Sequence, residues 1–162
     1  MTENKELQSI ILGAGCFWGV EEAFDALNGI VHNEVGYSGG HSKNPSYKEV
    51  CSGETGHAEV VRLQYDPGII GLEEILNTFW KIHDPTSINR QGPDIGSQYR
   101  SAVFYFNDEQ KKIIEKSIEK LEKSGSFNKP VVSEVNKADA FYRAEEYHQK
   151  YYQKNGIKGC SI

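Results

Sequence analysis

IILGAGCFWG, at residues 10–19, joins a short apolar run to a glycine-rich turn and then to the start of a helical pattern that continues to Leu27. A strand that enters a helix through such a turn leaves backbone N–H groups unpaired at the helix start, and these groups favour negative charge. A free cysteine is more often a small buried hydrophobe. The helix start, the flanking glycines and the aromatic side chains of Phe17 and Trp18 favour a different interpretation. We therefore predict a reactive thiolate at Cys16, beside an apolar wall.

The apolar pattern of the remaining chain predicts an α+β fold. Strands are predicted over residues 9–12, 30–37, 58–65 and 101–106, with an edge strand over 131–135. Helices are predicted over residues 17–27, 72–83, 109–123 and 144–154, and long loops over 38–56 and 84–98. The order strand-helix-strand-strand-helix-strand is typical of a ferredoxin-like split βαβ core. We expect a mixed, mostly antiparallel sheet with packed helices and a C-terminal extension.

Length and composition indicate a single domain over residues 1–162, with tails at residues 1–8 and 156–162. The net charge of −5 and the lack of a basic block argue against binding to nucleic acid or an anionic membrane. The polar N-terminus lacks the apolar region of a signal peptide, and no apolar run is long enough to span a membrane. Three cysteines without a secretion signal favour redox chemistry over a disulfide framework. We expect a cytoplasmic monomer.

A second candidate group lies at Gly56-His57-Ala58-Glu59, where the third strand begins. Strand alternation places Glu59 on the same face as Val61 and Leu63. A carboxylate at the end of an apolar face is partly desolvated, which raises its pKa and allows it to donate a proton near neutral pH. The alternative is an ordinary surface carboxylate at a strand end.

A zinc site is a further alternative, because His57-Ala58-Glu59 matches half of the zinc deaminase motif. That motif also requires a C-x-x-C pair, which this chain lacks, and its five histidines are scattered without ligand spacing. We therefore predict neither a metal nor a cofactor.

A third group precedes the fourth strand at DIGSQYRS, residues 94–101, and contains Asp94 and Tyr99. Another tyrosine, Tyr47, lies in the first long loop. Phenol groups can donate hydrogen bonds to an oxygen atom of a ligand, although a single tyrosine more often serves packing.

Four stretches together resemble the A-type peptide methionine sulfoxide reductases. They are GCFWG at 15–19, GHAEV at 56–60, DIGSQYRS at 94–101 and AEEYHQ at 144–149. The resemblance extends from about residue 10 to residue 155, which is nearly the whole chain. It implies an enzyme that reduces methionine S-sulfoxide, free or in proteins, to methionine, with thioredoxin as the reductant.

The resemblance also implies roles for individual residues. Cys16 matches the nucleophile and Glu59 the acid, while Tyr47 and Tyr99 match the hydroxyl groups that bind the sulfoxide oxygen. The substrate-binding positions that match are Phe17 and Trp18 as a wall for the methyl group, Asp94 as a polar lining residue, and His148 and Tyr151 at the edge of the pocket. On this interpretation residues 1–162 form one catalytic domain.

The thiol that resolves the oxidised Cys16 has two candidates. Cys160 lies in the C-terminal tail, beside a glycine, and resembles the resolving position of the family. The tail departs from the Tyr-Cys-Gly pattern of many members. Cys51 also resembles a position that holds cysteine in many members, but an inert thiol beside the pocket is the simpler interpretation.

Two functions from other classes remain open on the residues alone. The first is a non-catalytic module that binds methionine or methionine sulfoxide through Phe17 and Trp18, with an inert Cys16. The second is a metal-dependent hydrolase built around His57.

Overall fold

The computed structural model describes residues 6–155 of the chain. Eight strands form: β1 (Gln8–Ala14), β2 (Ile30–Ser38), β3 (Ala58–Tyr65), β4 (Arg90–Gln91), β5 (Asp94–Ile95), β6 (Ser101–Tyr105), β7 (Glu134–Lys137) and β8 (Phe141–Arg143). Five α-helices accompany them: α1 (Phe17–Asp25), α2 (Tyr47–Cys51), α3 (Leu72–Lys81), α4 (Asp108–Lys123) and α5 (Tyr151–Lys154). Two short 3-10 helices cover Ser97–Tyr99 and Glu146–His148.

Six of the strands form one sheet in the order β7-β6-β1-β3-β2-β8, and β4 pairs with β5 in a separate small hairpin. Every neighbouring pair of the large sheet is antiparallel except β6 and β7, which run parallel. The prediction of an α+β fold with a mixed, mostly antiparallel sheet is therefore confirmed.

The main core lies on one face of this sheet, beneath α1, α3 and α4. Val61, Leu63 and Tyr65 of β3 point into this core, whereas Ala58 and Val60 belong to a smaller cluster on the other face. The alternation predicted for β3 is thus present: the core face is buried throughout, and on the other face Ala58 and Val60 are buried while Arg62 and Gln64 are half-buried. Glu59 consequently enters the protein from the helix-covered side of the sheet.

The turn between β1 and α1 follows from its glycines. Gly15 has a φ of 95°, which only glycine adopts readily, and a Cβ atom there would lie 3.0 Å from the Cβ of Gln91. Cys16 occupies the N-cap position of α1, but its side chain forms no capping hydrogen bond to the helix. The first helical N–H, that of Phe17, is instead bonded by the Glu59 carboxylate 42 residues away.

The loop predicted over residues 38–56 contains a helix that the prediction missed. Ser46 accepts a hydrogen bond from the N–H of Glu49, and the Glu49 side chain accepts one from the N–H of Ser46. This capping box begins α2 and places Tyr47 in its first turn. The loop predicted over 84–98 likewise contains the β4–β5 hairpin and a 3-10 helix.

The C-terminal prediction of one helix over residues 144–154 is wrong. The segment contains a 3-10 turn and the four-residue α5, separated at Lys150, whose φ is 55°. A left-handed residue interrupts a helix because it breaks the repeating backbone geometry. Strand β8 was not predicted, and the predicted edge strand lies at Glu134–Lys137 rather than at 131–135.

Within residues 6–155, no helix combines the length and the apolar character needed to cross a membrane.

Candidate active site

Cys16 lies partly buried at the start of α1, as the sequence predicts. The surroundings of its sulfur, however, oppose the thiolate that the sequence predicts. Burial and the neighbouring charge of Glu59 raise the pKa of Cys16 to about 12, although the backbone N–H groups of Trp18 and Gly19 at the helix start act in the opposite direction. The helix start therefore does favour the thiolate, but burial and the nearby carboxylate outweigh it. At neutral pH the resting residue is a thiol.

Glu59 is 1% exposed and lies at the same helix start. Its Oε1 accepts a hydrogen bond of 3.2 Å from the Phe17 N–H, and its Oε2 accepts one of 2.9 Å from Nε2 of Gln98. Burial raises the pKa of Glu59 to about 7, while the bonds from Gln98 and Phe17 partly oppose this change. The carboxyl group thus exchanges protons near neutral pH, which is the property predicted for an acid at this position.

Gln98 is a residue of the site that the sequence analysis missed. Its amide is buried and also donates a longer hydrogen bond, of 3.5 Å, to Sγ of Cys51. The amide therefore lies between a thiol and the candidate acid. The sequence signal for Gln98 is its position within DIGSQYRS, the stretch that also contains the predicted site residues Asp94 and Tyr99.

Tyr47 and Tyr99 both face this group from different loops. Burial, with the charge of Glu59 as the next contribution, raises the pKa of each phenol above its usual range. Both hydroxyl groups therefore keep their protons at neutral pH and can donate hydrogen bonds. Asp94, in β5, lies close enough that its charge contributes to raising the pKa values of Glu59, Cys16 and Tyr99.

Glu145 fixes the start of α2 and was also missed. Its Oε2 accepts a hydrogen bond of 2.9 Å from the N–H of Tyr47, and its Oε1 accepts one of 2.9 Å from the hydroxyl of Tyr37. Although burial acts to raise it, these bonds lower the pKa of Glu145. Glu145 belongs to the AEEYHQ stretch, so this stretch contributes to the site through a contact 98 residues away along the chain.

An aromatic cluster forms the apolar side of the site. Phe17 is 1% exposed, and its ring centroid lies 6.3 Å from that of Tyr47 and 5.2 Å from that of His148. The Trp18 ring stacks on Tyr151 with centroids 3.8 Å apart and planes 8° from parallel. The predicted wall is therefore present, and Trp18 has one face covered by the C-terminal segment.

His148 is held in one tautomer by this cluster. Its Nδ1 accepts a 3.0 Å hydrogen bond from Nε1–H of Trp18, so the neutral ring carries its proton on Nε2. Burial lowers the pKa of His148, which favours the neutral form. The ring also lies 4.4 Å from that of Tyr47. His148 thus connects the aromatic wall to a candidate oxygen-binding hydroxyl.

His57 has a structural role in the loop before β3. Its Nδ1 accepts a hydrogen bond from the N–H of Gly40, and its Nε2 donates one of 2.7 Å to the carbonyl of Ser42. Both ring nitrogens are therefore occupied by the backbone, which leaves neither for a metal. Among residues 6–155, no three His, Cys, Asp or Glu side chains are placed to hold a metal ion together.

Of the two candidate resolving thiols, Cys51 lies within the described residues. Cys51 is a free, exposed thiol at the end of α2, close to Gln98 and the Tyr47 side chain. Cys160 lies outside the described residues. The structure thus brings together the following residues predicted for the site: Cys16, Phe17, Trp18, Tyr47, Glu59, Asp94, Tyr99 and His148.

Comparisons with known proteins show which family the chain resembles. A family model described as peptide methionine sulfoxide reductase matches residues 8–162. The chain is 53% identical over 150 residues to the peptide methionine sulfoxide reductase MsrA of Methanothermobacter thermautotrophicus, covering 93% of this chain and 89% of that protein.

Two solved structures are similar to the fold. Reduced Mxr1 from Saccharomyces cerevisiae superposes with a TM-score of 0.89 and 38% identity, covering 99% of this chain and 92% of Mxr1. Mxr1 in complex with Trx2 superposes with a TM-score of 0.65 and 29% identity, covering 93% of this chain and 88% of that chain.

Proposed function

Because the chain belongs to the peptide methionine sulfoxide reductase family, we propose that Cys16 and Glu59 are the residues that carry out its reaction. The protein is an oxidoreductase that reduces methionine sulfoxide to methionine with thiols as the source of electrons. This membership disagrees with a non-catalytic binding module and with a metal-dependent hydrolase.

In the proposed first step, Glu59 supplies a proton to the sulfoxide oxygen, and the sulfur of Cys16 attacks the substrate sulfur. A sulfoxide sulfur becomes electrophilic only when its oxygen is protonated or strongly hydrogen-bonded. Cys16 loses one proton as the oxygen gains one, so Glu59 can accept the first and deliver the second. As the S–S bond forms, the S–O bond breaks and the oxygen leaves as water, carrying the proton from Glu59 and the proton of the Cys16 thiol. Water then attacks the Cys16 sulfur and returns one proton to Glu59; the S–S bond breaks with its electron pair on the substrate sulfur, which leaves as methionine, and Cys16 is left as a sulfenic acid.

The remaining residues bind the substrate in this proposal. Tyr47 and Tyr99 donate hydrogen bonds to the sulfoxide oxygen, and Phe17 and Trp18 hold the methyl group. Asp94 provides a polar contact in the pocket, and His148 lies at the edge of the pocket. A methyl site on one side and an oxygen site on the other distinguish the two epimers at sulfur, and we assign the S epimer to this chain. Free and protein-bound sulfoxides are both proposed substrates.

The single observation that carries this division of roles is the placement of Glu59. A carboxyl group that is 1% exposed, titrates near pH 7 and bonds the N–H group directly after Cys16 is suited to proton transfer at that sulfur. Burial of two further phenols beside it, with their pKa values raised, supports the oxygen-binding role.

Restoration of Cys16 is assigned to Cys160 and to thioredoxin. The Cys160 thiol would attack the sulfenic acid, release water and form a disulfide, which thioredoxin would reduce by exchange. Cys160 follows Asn155 by five positions, so the two Cα atoms can lie at most about 18 Å apart. Since Tyr151 of α5 stacks on Trp18, this reach is compatible with contact at Cys16. The solved complex of Mxr1 with Trx2 supports thioredoxin as the partner.

We also propose that the four central strands form the ferredoxin-like split βαβ unit. The order β6-β1-β3-β2 with antiparallel neighbours supports this assignment. A monomeric state and a cytoplasmic location remain predictions.

A test of the proposed function uses sulfoxides of defined chirality. The protein is incubated with dithiothreitol and either the S or the R epimer of methionine sulfoxide, and methionine is quantified. We expect methionine from the S epimer only, and none from the S epimer with Cys16→Ser. Equal product from both epimers, or activity that persists in Cys16→Ser, would contradict the proposal.

A further inference from the structure

We propose that Gln98 is a positioning residue whose side-chain amide holds the Glu59 carboxyl group in place against the start of α1. The inference rests on the proposed role of Glu59 as the acid. It assigns a task to a residue for which the reaction itself gives none.

The first argument is the geometry of the carboxyl group. Phe17 N–H donates to Oε1 at 3.2 Å and the Gln98 amide donates to Oε2 at 2.9 Å. One donor on each oxygen fixes the rotation of the carboxyl plane about its last bond. The exchangeable proton of Glu59 is then carried on the oxygen lone pairs that remain free, and it is transferred from there to the substrate.

The second argument is that Gln98 is itself held. Its side chain is 5% exposed, so the amide has few alternative orientations. Its nitrogen donates one N–H to Glu59 and the other to Sγ of Cys51 at 3.5 Å, so both N–H groups of the amide are used in this orientation. A role for Cys51 follows that needs no disulfide: its sulfur accepts a hydrogen bond that orients the amide.

The third argument concerns the charge of Glu59. A hydrogen bond donated to the ionised carboxylate lowers its pKa, and Gln98 provides the larger of the two such bonds. The ionisable groups that surround Glu59 are Cys16, Tyr37, Tyr47, Asp94 and Tyr99. Burial and Asp94 raise the pKa of Glu59, and the Gln98 bond is the larger of the two bonds that lower it. Loss of the Gln98 bond should therefore raise this pKa.

The experiment measures the titration of Glu59 directly, without catalysis. Protein labelled with ¹³C at the glutamate carboxyl carbons is titrated by NMR, and the Glu59 signal is assigned by its absence in Glu59→Gln. We expect Gln98→Met, which removes the donor at similar volume, to raise the Glu59 midpoint by about one pH unit or more. Single-turnover methionine formation at about pH 5.5, where Glu59 is protonated in both proteins, should fall by about tenfold to a hundredfold because the acid is no longer held in place.

The matched control is Gln110→Met. Gln110 is 2% exposed and bonds the Phe106 N–H, the Ser9 carbonyl and Tyr65, so its loss disturbs a buried network outside the site. We expect no change in the Glu59 midpoint from this variant. An unchanged midpoint in Gln98→Met, or an equal change in both variants, would overturn the proposal.

If Gln98→Met fails to fold, Gln98→Glu decides the question. This variant removes the donor and adds a second carboxyl group, so it should raise the Glu59 midpoint further, and an unchanged midpoint would again overturn the proposal. The experiment gives a different result if Glu59 is not the acid, as the proposed function requires. In that case the midpoint still depends on Gln98, but Glu59→Gln retains full activity.

Discussion

Replacement of Glu59 by glutamine should make the protein more stable at alkaline pH while removing most of its activity. The folded carboxyl group has a pKa of about 7, against 4.5 for the ordinary group. Between these values the unfolded chain loses a proton that the folded chain retains, so the stability of the native protein falls as the pH rises from 4.5 to above 7. Glutamine has no such proton and removes this pH dependence.

The size of the effect follows from the pKa change. One pKa unit corresponds to about 1.4 kcal/mol, so the change from 4.5 to about 7 amounts to about 3 kcal/mol. The difference in unfolding free energy between Glu59→Gln and the native chain should thus increase by up to about 3 kcal/mol from pH 4.5 to pH 8. The Oε1 atom of the new glutamine can still accept the hydrogen bond from the Phe17 N–H, so the fold should persist.

The assay is urea denaturation followed by circular dichroism at pH 4.5, 6 and 8, with a reductant present throughout. Turnover at pH 7 should fall by about 10²–10⁴-fold, as expected for the loss of a general acid. Glu145→Gln is a control of opposite sign, because hydrogen bonds lower the pKa of Glu145 and its ionised form stabilises the fold. A stability difference for Glu59→Gln that does not change with pH, or that decreases toward pH 8, would refute the reasoning.

Three further predictions test other parts of the account. Cys160→Ser should form one methionine per protein in a single turnover but fail to cycle with thioredoxin, as measured by methionine release; a cycling defect in Cys51→Ser instead would assign the resolving role to Cys51. Burial lowers the pKa of His83 to about 4. Between pH 6.5 and 4 the unfolded chain therefore takes up a proton that the folded chain does not, and the unfolding free energy of the native chain should fall by up to about 3 kcal/mol. Urea titrations of His83→Gln should lack this contribution. Gly29→Ala should destabilise the fold by about 1–3 kcal/mol, measured by thermal and urea unfolding, because φ is 102° and the new Cβ would lie 2.6 Å from Cγ2 of Ile70.

Local sequence patterns predicted the parts of the site that depend on local geometry. The glycine-rich turn placed Cys16 at a helix start, and the alternation of β3 placed Glu59 on the face that enters the main core. Each depends on a period or a turn that neighbouring residues determine.

Long-range contacts account for what the sequence did not predict. Burial of the Cys16 sulfur, and next the charge of Glu59, raise the pKa of Cys16 and oppose the thiolate that the helix start favours; the fold alone brings both about. Gln98 bonds Glu59 from 39 residues away, and Glu145 bonds Tyr47 from 98 residues away, so no local pattern marks either contact.

Two secondary-structure errors had different causes. The capping box at Ser46 and Glu49 was a readable signal for α2, and the abundance of Gly, Ser and Asn around it favoured a loop instead. The C-terminal segment was predicted as one helix over residues 144–154. The left-handed backbone at Lys150 interrupts it, and Lys150 N–H donates to a buried Glu21 carboxylate across the fold.

The most direct test of the central claim uses a chain in which Cys16 is the sole cysteine, the double variant Cys51→Ser and Cys160→Ser. This protein is mixed with methionine S-sulfoxide without an external thiol, and both methionine and the mass of the Cys16 peptide are measured. The account predicts one methionine per protein and one added oxygen on Cys16. Absence of methionine, or methionine formed while Cys16 remains unoxidised, would contradict it.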